Sequence, residues 1–516
     1  MSESTEKYIS RELIEFINES PTMYNAVENG KKYLKNSGFE ELDIKRKWRL
    51  EEGGKYYLDI NSSSLVVFVV NGKNIENDGF RIIGSHTDSP SFKIKSSPEI
   101  KLENYTKLNV EPYGGMIIST WFDRPLSIAG RVMVKNWRDC LNPIEKIIDF
   151  KKPICIIPNL AIHMNRDVNN GYAYDKQNDV MPMLLSTNEN LEENTLKKII
   201  AEEINRNREL EHEINDELFS EYANIKALRE KLKKENDREV DEDDILDYEL
   251  YLYPCESGSL IGEDEEFISC ARLDNLASVH SSIKALVDSC QKIEMSKNAN
   301  TNIRKAITDI EVLDSMLSRE FGSYDTNINN SLLREYSGFK GINLVFAANN
   351  EEVGSESKEG ANSSTLSNIL ERIALSLGKS REDLLVAYQN SFMISADLAH
   401  ALHPNKQEKA DPTNKTLFGN GPTIKSHAGK AYASDAKSIA IYKGICESNK
   451  IKYQMFVNRS DMRSGSTIGP MMSSLLSLDT VDVGIPLLAM HSCRELAHTK
   501  DYFYYYKSML CFFSHK

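Results

Sequence analysis

The stretch INLVFAANNEEVGS, residues 342–355, sets an apolar run directly before two adjacent carboxylates. Ile342–Ala348 reads as a short buried strand, and Glu351–Glu352 as the start of the loop that follows it. Neighbouring carboxylates repel, so burying both is unfavourable unless something positive sits beside them. A metal ion would neutralise one and leave the other free as a base. The alternative is a charged loop, although acidic pairs straight after buried strands are less common than on helices.

Three further predicted strands deliver metal-type side chains at their C-terminal ends. Phe80–Ser85 leads to His86, Ser391–Ala396 to Asp397, and the region Val483–Met490 to His491. In open α/β sheets, ligands sit outside the carboxyl ends of the strands. The pattern therefore predicts one metal site assembled from distant segments.

At 516 residues the chain is too long for one ordinary core, which predicts two domains. Its net charge of −14 argues against nucleic acid, which needs clustered Lys and Arg, and means that an acidic ligand must be met by a local cation. No apolar stretch approaches the ~20 residues of a membrane span, and the opening MSESTEKYIS lacks the apolar core of a signal peptide. Eight scattered cysteines without a C-x-x-C pair fit reduced thiols in the cytoplasm.

Residues 7–38 have helical apolar spacing, and Leu65–Val70 and Phe80–Ser85 read as strands. From 95 to 185 the character changes to strand-like runs (Met116–Thr120, Leu126–Val134, Ile154–Ile157) punctuated by Gly and Pro. These mark a β-rich module inserted into the first domain. Leu191–Asp247 reads as charged helix, with Asp241–Asp244 a solvated acidic face, and residues 291–337 read as an Asn-rich surface excursion. The predicted division is a discontinuous catalytic domain, 1–93 plus 255–516, around an insert at 94–254.

The individual motifs carry bland alternatives. His86-Thr87-Asp88 puts an imidazole two residues from a carboxylate able to fix its tautomer, but equally describes a hydrogen-bonded histidine at a strand end. Asp274, before the helical run Ala277–Ser289, is either an N-cap or a carboxylate bridging two cations. The H-x-x-H of His400 and His403 is a weak motif; one or both are expected to hydrogen-bond nearby, and neither is assigned as a metal ligand. Arg494 and Glu495 are expected to pair with each other. Taken together, two His, three acidic ligands and a spare Glu are the inventory of a dinuclear hydrolase, with donors suited to Zn²⁺ and tolerant of Mn²⁺ or Co²⁺.

In order along the chain, His86-Thr87-Asp88-Ser89-Pro90, Leu273-Asp274-Asn275, Glu351-Glu352-Val353-Gly354-Ser355, Asp397-Leu398-Ala399-His400-Ala401, Gly465–Pro470 and Met490-His491-Ser492 resemble the M18 metallopeptidase family, and within it the aspartyl aminopeptidases. The resemblance runs nearly end to end. It implies an α/β zinc-aminopeptidase-like catalytic domain, its mixed sheet flanked by helices, interrupted by a β-rich dimerisation domain. It implies one zinc on His86 and Asp397, a second on Glu352 and His491, Asp274 bridging, Glu351 as general base and Asp88 orienting His86. It implies dodecamers built from dimers, in which His163 enters a neighbour's active site; without the resemblance, His163 reads as a buried strand-end histidine. The implied substrates are peptides with N-terminal Asp or Glu, with Lys425 as the cation for the acidic side chain and Gly465 and Ser466 shaping the pocket. The stretch Arg459–Arg463 departs from the family pattern. A related dinuclear amidase and a non-catalytic self-assembling scaffold are the rival readings.

Overall fold

The structure, a computed structural model, describes residues 4–186, 194–218, 238–299, 339–463 and 465–515. These fall into two units, residues 1–89 with 257–516 and residues 90–256. The first unit opens with helices α1 (Thr5–Asn18) and α2 (Met23–Asn36). The helical spacing of Ile9, Leu13, Ile14 and Ile17, then Tyr24, Val27 and Leu34, puts each set on one face, and all are buried. Next come β1 (Glu40–Glu41), β2 (Lys55–Ile60), β3 (Ser64–Val70), the short α3 (Ile75–Asp78) and β4 (Phe80–His86).

The second unit contains a six-stranded antiparallel sheet. Its strands are β5 (Ser91–Leu102), β6 (Tyr105–Tyr113), β7 (Leu126–Val134), β8 (Ile144–Asp149), β9 (Met183–Ser186) and β10 (Ile245–Pro254), with helix α4 (Thr195–Leu218) between the last two; the spatial order is β8-β7-β10-β5-β6-β9. Two expected strands are absent as such. Ile118–Trp121 is a 3₁₀ turn, and Cys155 and Ile156 make only isolated bridges. Both runs are short and bounded by Gly or Pro; Ile117 is exposed, while Cys155 and Ile157 are buried from irregular backbone. Glu242–Asp244 is a 3₁₀ turn, reciprocally capped by Asp241, and Asp244 is buried rather than solvated.

The first unit then resumes with β11 (Ser259–Ile261), β12 (Phe267–Cys270) and helix α5 (Leu273–Ala299), whose Asp274 and Asn275 have non-helical backbone. The Asn-rich excursion lies mostly outside the described residues. There follow β13 (Ile342–Ala348), α6 (Thr365–Ser376), α7 (Arg381–Gln389), β14 (Phe392–Ala396), β15 (Ala399–His400), β16 (Thr423–Ser426), α8 (Ala436–Ser448), β17 (Gln454–Val457), α9 (Ile468–Leu476), β18 (Asp479–Gly484), β19 (Pro486–Leu487), β20 (Glu495–His498) and α10 (Thr499–Ser514).

Nine strands form one mixed sheet, in the order β1-β2-β3-β13-β4-β14-β18-β16-β17. Its centre, β13-β4-β14-β18, is parallel, with Ala348 opposite His86 and Ala396 opposite Val483. Both faces of the sheet are covered, so β3 and β13 are buried at every residue. Leu65, Val67, Val69, Val345 and Ala347 face one core with α1, α2, α5 and α10. Val66, Phe68, Val70, Leu344 and Phe346 face the other with α6, α7 and α9. This period-2 division is what a strand imposes. Four parallel strands thus point their C-terminal ends at one rim.

A small antiparallel sheet, β11-β12-β20, pairs Cys270 with Glu495 and so holds the loop to Asp274 beside the loop from His491. No helix among the described residues is long and apolar enough to cross a membrane.

Candidate metal centre

His86 ends β4, Glu351 and Glu352 open the turn after β13, and Asp397 follows β14. Asp397 donates its N–H to Val483 O at 3.1 Å, which locks it to β18. Gly484 allows this approach: a Cβ there would lie 1.9 Å from the Asp397 carbonyl oxygen. His491 does not cap a strand as expected. It lies on the loop between β19 and β20 with φ 66°, two residues after Ala489 at φ 56°. Asp274 is at the start of α5 and is joined to Asn275 by a cis peptide.

These residues converge. One Asp274 oxygen lies 3.7 Å from His86 Nε2, and the other lies 3.5 Å from His491 Nε2. Asp397 Oδ1 is 3.7 Å from the same His86 nitrogen, and Glu352 Oε1 is 3.4 Å from the same His491 nitrogen. Glu351 Oε2 stands 4.0 Å from His86 Nε2. Donor atoms of His86, Asp274 and Glu352 all fit within 4.8 Å of one another. The centre is therefore two donor groups, His86 with Asp397 and His491 with Glu352, facing opposite oxygens of one carboxylate.

Asp88 lies beneath, fully buried. Its backbone oxygen meets His86 Nδ1 at 3.0 Å, and its side-chain oxygens accept the N–H groups of Glu351 and Glu352 at 3.2 and 3.1 Å. Asp88 therefore fixes an imidazole through its backbone oxygen and both halves of the acidic pair through its carboxylate.

The charges are unbalanced without a cation. Burial, reinforced by Asp397, Asp88 and Asp274, pushes the Glu351 carboxyl up to about 7. Burial also drives Glu352 well above the usual carboxylate range. Burial opposes a charge on His86, yet Asp397 and Asp88 raise its pKa well above normal. Asp274 Oδ1 is buried without a hydrogen-bond partner. An orphaned carboxylate oxygen between two imidazole–carboxylate pairs fits metal ions, and the nitrogen and oxygen donors suit zinc.

Lys425, on β16, is 2% exposed. Its ammonium donates to Asp397 Oδ2 at 3.3 Å and Leu398 O at 3.1 Å, and faces the Tyr432 ring. Burial alone would raise the Asp397 pKa; Lys425 and His86 hold it below the usual range instead. Gly465 and Ser466 are exposed on the loop into α9. The next residue, Thr467, donates to the buried Asp482, whose charge acts on Lys425. His163 is on an exposed turn of the second unit, not buried at a strand end.

Beside the centre, a cavity of about 350 Å³ is lined by His400, Met490, Lys406, Lys409, Arg459 and Arg463, among others. Burial and the Lys425 charge lower the His400 pKa, and Asp274, His491 and Asp397 also act on it, which places the ring near the donors. His403 accepts from Asn405 N at 3.2 Å, as expected of a local hydrogen bond.

Sequence reasoning missed Glu495. The expected Arg494–Glu495 pair does not form: Arg494 donates to Ser257 O, Ser259 Oγ and both Ser269 oxygens. Glu495 takes backbone N–H groups, a role no side-chain pattern signals.

A profile of the aminopeptidase I zinc metalloprotease (M18) family matches residues 16–320 and 323–513. A probable M18 family aminopeptidase 2 of Clostridium acetobutylicum is 42% identical over 507 residues, covering 98% of each chain. Among solved structures, a cryo-EM structure of an Ape4–Nbr1 complex matches 99% of this chain and 86% of its own, at 30% identity and a TM-score of 0.81. A dodecamer of mApe1 from S. cerevisiae matches 98% and 96%, at 26% identity and a TM-score of 0.70. Matches of this extent, to a sheet whose strand ends meet at one donor cluster, make the chain a member of the M18 family of zinc metallo-aminopeptidases.

Proposed function

We propose that the chain removes Asp or Glu from peptide N-termini, with two zinc ions and Glu351 as the general base. The observation that carries the dinuclear reading is Asp274, whose two oxygens face separate imidazole–carboxylate pairs. His86 and Asp397 would hold one ion, Glu352 and His491 the other, and Asp274 would be shared. Bound zinc would supply Lewis acidity, lowering the pKa of a water and polarising a peptide carbonyl; Mn²⁺ or Co²⁺ would substitute.

Glu351 does the proton work. It is the acidic residue left outside the two donor pairs, and burial has moved its pKa toward neutrality, where a base both accepts and returns a proton. It takes the proton of the attacking water and delivers it to the departing amine. Asp88 keeps its backbone in place.

Acidic side chains are favoured by the cavity beside His400. Lys406, Lys409, Arg459 and Arg463 line it in a protein whose net charge is −14. Lys425, held by Asp397 Oδ2 and Leu398 O, would be the cation that meets the substrate's acidic side chain, and Gly465 and Ser466 would shape the pocket. The mApe1 dodecamer supports a homo-oligomer; in it, dimers would form through the 94–254 insert and His163 would come from a neighbouring subunit to donate to the substrate carbonyl. The cytoplasm suits the reduced thiols.

The test is release of N-terminal Asp, Glu, Leu and Ala from matched short peptides, with Zn²⁺, Mn²⁺ or Co²⁺ and with a chelator. Metal-dependent release confined to Asp and Glu is expected. Preference for Leu or Ala would overturn the acidic specificity and leave the hydrolase.

A further inference from the structure

Glu495 is 3% exposed, and its two carboxylate oxygens take different partners. Oε2 accepts the backbone N–H of Asp274 at 3.0 Å, and Oε1 that of His491 at 2.8 Å. Among the described residues no lysine or arginine pairs with it, because the adjacent Arg494 is committed to Ser257, Ser259 and Ser269. Burying such a carboxylate is costly unless its bonds do something the fold needs. The loops it joins carry Arg272, Ala489 and His491 at positive φ, conformations that L-residues hold only when the surroundings over-determine them. The arrangement repeats that of Asp88, which clamps the N–H groups of Glu351 and Glu352.

We infer that Glu495 is a positioning residue that ties the bridging carboxylate Asp274 to His491 and so sets the geometry of the His491–Glu352 metal position. This rests on the dinuclear reading above. Glutamine at 495 would keep one acceptor and turn an NH₂ toward the other N–H, releasing one loop from the other. Aspartate would keep the charge but fall one methylene short of spanning both.

The full chain, stripped of metal, is titrated with Zn²⁺ against a chromophoric chelator as wild type, Glu495→Gln and Glu495→Asp, and the visible spectra of the Co²⁺ forms are recorded. Glu495→Gln is expected to weaken one ion about 10–100-fold, the range for lost outer-shell partners, and to leave the other unchanged. The Co²⁺ bands of the weakened equivalent should shift, and Glu495→Asp should fall between. Two ions held at wild-type affinity with unchanged bands would overturn the inference. So would equal weakening of both, the mark of general damage. If Glu495→Gln does not fold, Glu495→Asp decides by the same criteria. A wild type that binds a single zinc would defeat the dinuclear reading alone; Glu495 is then judged by whether its variants weaken that ion.

Discussion

Glu351 and Glu352 are neighbours in the chain yet diverge in use, one oxygen pair reaching His491 and the other standing off His86. Replacing the proposed base alone separates the roles. Glu351→Gln should cut turnover by about 10²–10⁴-fold while zinc content, read by elemental analysis, stays at wild type. Unchanged turnover would remove Glu351 as the base. Lys425 offers a contrasting case. With Asp397 and Asp482 both buried around it, Lys425→Met strands two carboxylates, and the metal-free protein should lose about 3–5 kcal/mol in urea unfolding. The carboxylate pair was legible because its position after an apolar run is itself a signal. Glu495 was not, because its partners are backbone N–H groups brought close by pairing of β12 with β20.

Helix α10 closes one face of the main sheet against α5, and a histidine stands between them. His280 Nδ1 meets Tyr502 Oη at 2.5 Å, and its ring lies 5.4 Å from Phe16. Burial, helped by the Lys284 charge, lowers its pKa from 6.5 to about 3. Between those values the unfolded chain binds the proton and the folded chain does not, so acid favours unfolding. This contribution is complete above pH 6.5 and is lost as pH falls toward 3. The urea midpoint of His280→Gln should therefore drop less than that of wild type between pH 7 and pH 4.5, and parallel drops would refute the assignment. Among elements, the buried runs β3 and β13 were legible since a short, nearly continuous apolar stretch has few other uses. Met116–Thr120 was not, because a short apolar run directly after two glycines serves a partly exposed turn equally well.

Over the whole molecule, the donor cluster concentrates Asp88, Asp274, Glu351, Glu352 and Asp397 at the rim of a sheet whose buried residues are mostly apolar. Without bound metal that repulsion is uncompensated. Calorimetry of the full chain in chelator should show a lower unfolding temperature, restored by zinc; occupancy at a thousand times Kd stabilises by about 4 kcal/mol per site. An unfolding temperature indifferent to chelator would mean that the donors hold no ion. The α/β class was legible from three strand ends carrying metal-type side chains, at His86, Glu351–Glu352 and Asp397. The strand order was not, because nothing local reveals that β13 enters between β3 and β4.

That insertion has a consequence for synthesis. When β4 leaves the ribosome its neighbour on one side is still more than 250 residues away, since β4 ends at His86 and β13 begins at Ile342. Until then β3 and β4 expose apolar edges with no strand to pair, and His86 has no second donor strand. The nascent chain is thus inert as a peptidase but prone to capture by other strands, which predicts a need for chaperone shielding through the middle of translation.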